Sequence, residues 1–281
     1  MKKILLITTI LLFSFFNPNE IKAKESCSSD NSVCVDYTKK ENGYSMSLKN
    51  NNSCKTTLSL YFTELKNLSP NVKIPFTLTL KPYEEFNKIE LSIINKSKAW
   101  NFRYTFNEVK GNMNAMHDNN TIYQLPYKSG KKYMIMQGFN GKFSHSGEQK
   151  YSIDFDVPEG TPVLASREGE VVFVKSSNDI GGKTKDFAKY ANYIIIEHSD
   201  KTFGAYLHLK KDGSVVDVGD KVKVGELIGY SGSTGWSSAP HLHFWVYKAI
   251  SGKERESFPI RFKTTNSNSE ILLQGNYYIS P

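Results

Sequence analysis

Three short stretches of this chain alternate residue by residue between apolar side chains and Asp or His, a period of two that an extended strand resolves into opposite faces. In Ile153-Asp-Phe-Asp-Val157, Ile153, Phe155 and Val157 share one side, and Asp154 and Asp156 the other. In Ala205-Tyr-Leu-His-Leu209 the alternation sets Ala205, Leu207 and Leu209 against Tyr206 and His208. In His241-Leu-His-Phe-Trp-Val-Tyr247, Leu242, Phe244 and Val246 oppose His241 and His243. Each stretch can bury one face and present ionisable groups on the other. An antiparallel sheet that gathers these faces has a polar floor holding a carboxylate and several imidazoles.

That floor suits metal-assisted hydrolysis: three N/O ligands, an open position for water, and further imidazoles for proton transfer. His241-x-His243 alone is also consistent with a chance surface pair, and the parity of the other two strands favours the functional reading. His198 ends the apolar strand Tyr193-Ile-Ile-Ile-Glu-His198 and reads as structural, while His117 reads as a solvated loop residue. Asp156 is either a partner that orients a histidine or a solvent-facing group. The glycines of Gly229 to Gly235 read as a tight turn, since no Lys-Ser/Thr follows to make a phosphate cradle.

The rest of the chain supplies the setting. Lys2 and Lys3 precede the apolar run Ile4 to Phe16, and a small residue, Ala23, follows. This predicts a signal peptide over 1–23 and a secreted product, in periplasm or cell wall, with no transmembrane segment after cleavage; an uncleaved anchor is the alternative. Export allows a disulfide among Cys27, Cys34 and Cys54, for which Cys34–Cys54 is the favoured pairing. The net charge of +8 suits an anionic cell-wall or membrane surface. Dispersed lysines and the lack of a recognised module argue against nucleic acid.

Residues 24–107 carry alternating stretches, such as Tyr44 to Leu48, Thr56 to Phe62 and Phe76 to Leu80, separated by Asn, Ser, Pro and Lys. They predict a small β-sandwich-like domain of unknown role, binding or structural. Residues 108–132 read as a linker and 133–281 as a second, antiparallel β-sheet domain. Asn178 to Lys189 reads as a long polar loop beside a cleft, and the tail adds strand candidates at Phe258 to Phe262 and Glu270 to Gln274. The expected fold class is therefore all-β throughout, with a groove-type site on the second domain.

The run from Val216 to Phe244, the segment Asp154-Phe-Asp-Val-Pro-Glu-Gly-Thr-Pro-Val163, and Tyr206-Leu-His-Leu209 closely resemble the lysostaphin/LytM-type zinc metallopeptidases. The resemblance covers roughly 133 to 262. It implies a secreted zinc metalloendopeptidase that hydrolyses peptide cross-links of bacterial peptidoglycan through metal-activated water, with peptidoglycan peptide stems as partners. Carried onto this chain, it makes Asp154 and His243 ligands of one Zn2+ and His208 and His241 the catalytic pair; Tyr206 is a packed tyrosine or a substrate contact. The remaining ligand falls to His145, although the family's common form spaces this histidine four residues from the aspartate and here the numbers are 145 and 154. A non-catalytic relative that binds cell wall or activates another hydrolase is the alternative. A carrier or phosphotransfer domain, suggested by Gly219 to Ile228, conflicts with export.

Overall fold

The computed structural model describes residues 26–281. The segment 1–23, expected to be a signal peptide, lies outside them, and among the described residues no helix is long and apolar enough to cross a membrane. Strands dominate, with 3-10 turns at Gly147–Gln149 and Lys185–Tyr190.

The N-terminal part has two antiparallel sheets. One orders Ser26–Cys27, Val33–Lys40, Gly43–Asn50, Glu85–Ile93 and Leu68–Pro70; the other orders Phe76–Leu80, Thr56–Lys66 and Asn101–Lys110. Val33, Val35, Met46, Leu48, Ile89 and Leu91 from the first sheet join Leu58, Leu60 and Leu80 from the second in one buried cluster. The disulfide is Cys27–Cys34, not the expected Cys34–Cys54. Cys27 stands directly opposite Cys34 in a hairpin ladder, whereas Cys54 is a buried free thiol.

The second part is organised around a nine-stranded antiparallel sheet. From one edge it runs Lys221–Val222, Gly169–Lys175, Tyr193–Glu197, Phe203–Leu207, Leu242–Ala249, Ile153–Asp156, Lys132–Gln137 and Tyr277–Ile279, with Arg255–Ser257 beside Leu242–Ala249. One face carries Ile153, Phe155, Ile194, Ile196, Leu242, Phe244 and Val246 into the main core. That core is completed by Val163, Leu209 and Ile228 of a three-stranded sheet, Pro162–Leu164, Leu227–Ser231 and Leu209–Ser214. The alternation expected for the Asp154 and His243 strands holds.

Three expectations change. Tyr206 belongs to the main core, fully buried, and its hydroxyl accepts from the Ser166 N–H at 2.8 Å. Ala205 and Leu207 therefore lie on the opposite, site-bearing face. Parity breaks at His208, whose φ of +65° ends one strand at Leu207 and starts another, in the smaller sheet, at Leu209. The segment read as a linker sends Tyr123, Leu125 and Tyr127 into the main core, and its strand Ile122–Gln124 pairs parallel with Arg261–Lys263. In the tail, Glu270 makes only an isolated bridge to Phe262; the terminal strand is Tyr277–Ile279.

The site-bearing face of the large sheet is covered at one end by the N-terminal part. Cys54 packs among Val172, Ile195, Phe203, Ala205, Trp245 and Tyr247. Lys55 pairs with Glu197, Ser53 Oγ donates to Val172 O at 2.7 Å, and Tyr247 Oη donates to Lys110 O at 3.0 Å. His243, Trp245 and Tyr247 point the same way from one strand, so the strand that carries the site histidine also carries this interface.

Candidate metal centre and catalytic cleft

Asp154 and His243 are direct cross-strand partners, and His243 is in turn opposite Leu207. This register puts the carboxylate beside one imidazole on the face that Leu207 shares. His243 Nδ1 donates to Asp154 Oδ1 at 2.8 Å, and its Nε2 is buried without a partner. His145 arrives from outside the sheet, on the arm 138–150. Its Nδ1 donates to Gly138 O at 2.8 Å, which leaves a lone pair on Nε2. That Nε2 lies 3.2 Å from Asp154 Oδ1 and makes no hydrogen bond. His145, Asp154 and His243 thus each offer a ligand atom, all within 4.8 Å of one another.

With the His145 ring in its neutral form, two acceptors would oppose each other in a buried site, which is costly unless a cation lies between them. The donor set, two imidazoles and a carboxylate, fits a divalent metal of the zinc type. Burial alone would raise the Asp154 pKa; the neighbouring His145, His243 and His241 override it and hold the carboxyl well below its usual value. Burial lowers the His243 pKa, only partly opposed by Asp154, so its neutral form is favoured.

His208 and His241 stand beside this cluster with ring centroids 4.5 Å apart. His208 Nδ1 donates to Thr234 O at 2.7 Å, and His241 Nδ1 donates to Ala239 O at 2.8 Å. In its neutral form each ring therefore carries its lone pair on Nε2, and His241 Nε2 lies 3.9 Å from Asp154 Oδ1. Burial, with His241 and His243 nearby, pushes the His208 pKa down to about 3, so it is a neutral proton acceptor across the physiological range.

The cleft above these groups has a volume of about 710 Å³. One wall is the 138–150 arm. The other pairs Gly181–Gly182 in parallel with Gly235–Trp236 and continues into the 3-10 turn Lys185–Tyr190. Gly235 is required here: its φ is +79°, and a Cβ would meet Ala191 Cβ at 2.5 Å. Phe143 and Trp236 approach from the two walls to 5.7 Å between ring centroids.

The structure thus brings His145, Asp154, His208, His241 and His243 into one cleft. His198 lies away from it, buried, donating from Nδ1 to Glu168 O at 2.8 Å. Asp156 is exposed. His117, read as solvated, is half-buried and stacks on Phe258 with centroids 4.6 Å apart. Sequence reasoning missed Gln137, buried beside Asp154 and donating to its Oδ2 at 3.0 Å. An amide carries no signature of its own; only its position opposite Asp154 in the ladder reveals it.

Comparison with known proteins decides the family. Residues 148–257 match Peptidase family M23. The matched segment, 148–257, is a lysostaphin/LytM-type metallopeptidase domain of that family. The chain is 39% identical over 132 residues to lysostaphin of Staphylococcus simulans, a span of 46% of this chain and 23% of that protein. It is 34% identical over 122 residues to the peptidoglycan DD-endopeptidase ShyA of Vibrio cholerae serotype O1, or 42% of this chain and 26% of ShyA. The chain therefore spans about a quarter of these curated relatives. Among solved structures, the catalytic domain of the antimicrobial peptidase lysostaphin from S. simulans is 33% identical, covering 47% of this chain and 88% of that one at a TM-score of 0.32. Membership in a metallopeptidase family implies a metal. The family match includes Asp154, His208, His241 and His243 and begins three residues after His145.

Proposed function

We propose that the chain is an exported zinc metalloendopeptidase that hydrolyses peptide cross-links in bacterial peptidoglycan. The observation that carries this reading is the buried convergence of His145, Asp154 and His243, with His145 Nε2 facing Asp154 Oδ1 at 3.2 Å and a ligand atom of each within 4.8 Å of the others. When bound by His145, Asp154 and His243, zinc supplies Lewis acidity that polarises a scissile carbonyl and acidifies water toward a pKa of ~7.

The chain's own residues do the rest. Carbonyls fix the tautomers of His208 and His241, so both Nε2 atoms can accept a proton within the cleft, and one of them can return it to the leaving amine. After protonation, either imidazolium can stabilise negative charge developing on the carbonyl oxygen. Phe143, Leu207 and Trp236 line the cleft and exclude water from an extended peptide lying across it. The peptidoglycan DD-endopeptidases among the relatives and the net charge of +8 support an anionic cell-wall substrate.

The test is incubation of the purified chain with sacculi and mass spectrometry of the released muropeptides. New peptide ends appear with the zinc-loaded protein and are absent with chelator. A His243→Ala protein that still binds zinc and releases the same products would sink the ligand assignment.

A further inference from the structure

We propose that Gln137 is the positioning residue of the metal centre, tying the arm that carries His145 to the carboxylate of Asp154. The proposal rests on the metal-centre reading above. His145 and Asp154 are nine residues apart, and before the strand Ile153–Asp156 begins the chain between them has the 3-10 turn Gly147–Gln149 and no ladder to hold one ligand relative to the other. A site needing both ligands within tenths of an ångström requires a tie from elsewhere.

Gln137 supplies it through all of its amide functions. Nε2 donates to Asp154 Oδ2 at 3.0 Å and to Ser144 Oγ at 2.8 Å. Oε1 accepts from the N–H of Phe143 at 2.9 Å and of Ser144 at 3.2 Å. Two donor hydrogens and two lone pairs are thus all in use. The orientation is unambiguous, since flipping the amide would set its oxygen against the carboxylate and its NH2 against two backbone N–H groups. Both ends of the side chain reach the ligand set: one end holds the carboxylate, the other the backbone next to His145.

The backbone is shaped to allow this. A bulge between Ile135 and Gln137 shifts the register so that Gln137 stands directly opposite Asp154. Gly141 leaves the space for it, because a Cβ there would meet Gln137 Cγ at 2.1 Å. A glutamine that only filled the core would need neither arrangement.

The experiment uses the full chain stripped of metal, with Zn2+ and Co2+ as probes. Gln137→Met removes the whole tie; Gln137→Asn stays polar but is one methylene too short to span both ends. Chelator competition should show zinc binding weakened roughly 10- to 100-fold in both, and the visible Co2+ spectrum should change. The urea midpoint of the metal-free protein should stay near wild type. Ser144→Ala, which keeps the Asp154 and backbone bonds, should bind zinc nearly as wild type does. Zinc affinity within about twofold of wild type in the folded Gln137 variants overturns the proposal. So does a loss no larger than the loss of folded protein, or an equal loss in Ser144→Ala. If wild type takes up no zinc at all, the metal-centre reading fails first, and in a separate arm of the experiment.

Discussion

His145 faces the Asp154 carboxylate through a buried Nε2 and His243 through Nδ1, its Nε2 buried without a partner, whereas His208 and His241 turn toward the cleft with carbonyls behind them. The two pairs should therefore respond differently to substitution. His208→Ala or His241→Ala should lower kcat on sacculi by about 10²- to 10⁴-fold, with zinc content by metal analysis unchanged. His243→Ala should lose both. A second residue-scale prediction concerns His198, far from the cleft, whose pKa burial lowers from 6.5 to about 4. Between those values the unfolded chain takes up a proton that the folded chain refuses, so stability falls as pH drops through this window. The contribution is at most ~1.4 kcal/mol per pH unit. Urea unfolding of wild type minus His198→Gln, followed from pH 6.5 down to 4, should show this difference. Asp154, His241 and His243 could be picked out in the sequence because Asp and His on a strand's polar face are chemically conspicuous; His208 stood out by residue type and by the Tyr206-Leu-His-Leu209 motif, not by parity. Gln137 could not, because its role depends on a bulge that no local pattern announces.

At the scale of elements, the cleft depends on backbone positions that a side chain would spoil. Gly235 holds one wall at φ +79° against Ala191. Gly235→Ala combines a left-handed backbone with a 2.5 Å contact, and should cost about 1–3 kcal/mol by urea unfolding. It should also perturb the fluorescence of the adjacent Trp236. His208 adopts φ +65° at the point where its strand leaves one sheet for another. That turn keeps His208 in the cleft while Tyr206 goes to the core, and alternation alone therefore assigned the face of this strand incorrectly. The disulfide is an element-scale question too. Non-reducing peptide mapping should find Cys27 linked to Cys34, with Cys54 alkylated only after unfolding, as its burial and its thiol pKa of about 11 require.

At the scale of the molecule, the N-terminal part packs, through Ser53, Cys54 and Lys55, on the same face of the large sheet that bears the site. Cys54 fills a space bounded by Trp245 and Tyr247, a few residues along the strand from His243. Overpacking this contact with Cys54→Phe should destabilise the chain by about 1–3 kcal/mol, measured by urea unfolding. If the two parts unfold together, a single transition should persist at a lower midpoint. The sequence by itself determined the all-β class, the apolar and polar faces of the Asp154 and His243 strands, and the family. Strand alternation and ordered short motifs are local properties, complete within a few residues. Only the tertiary structure decided how His145 reaches Asp154 across nine residues and which cysteines pair. It also decided that Gln137 completes the cluster and that the segment 108–132 lends Tyr123 and Tyr127 to the core. Each of these depends on which strands become neighbours, and in what register. Long-range pairing sets that, and no window of the sequence contains it.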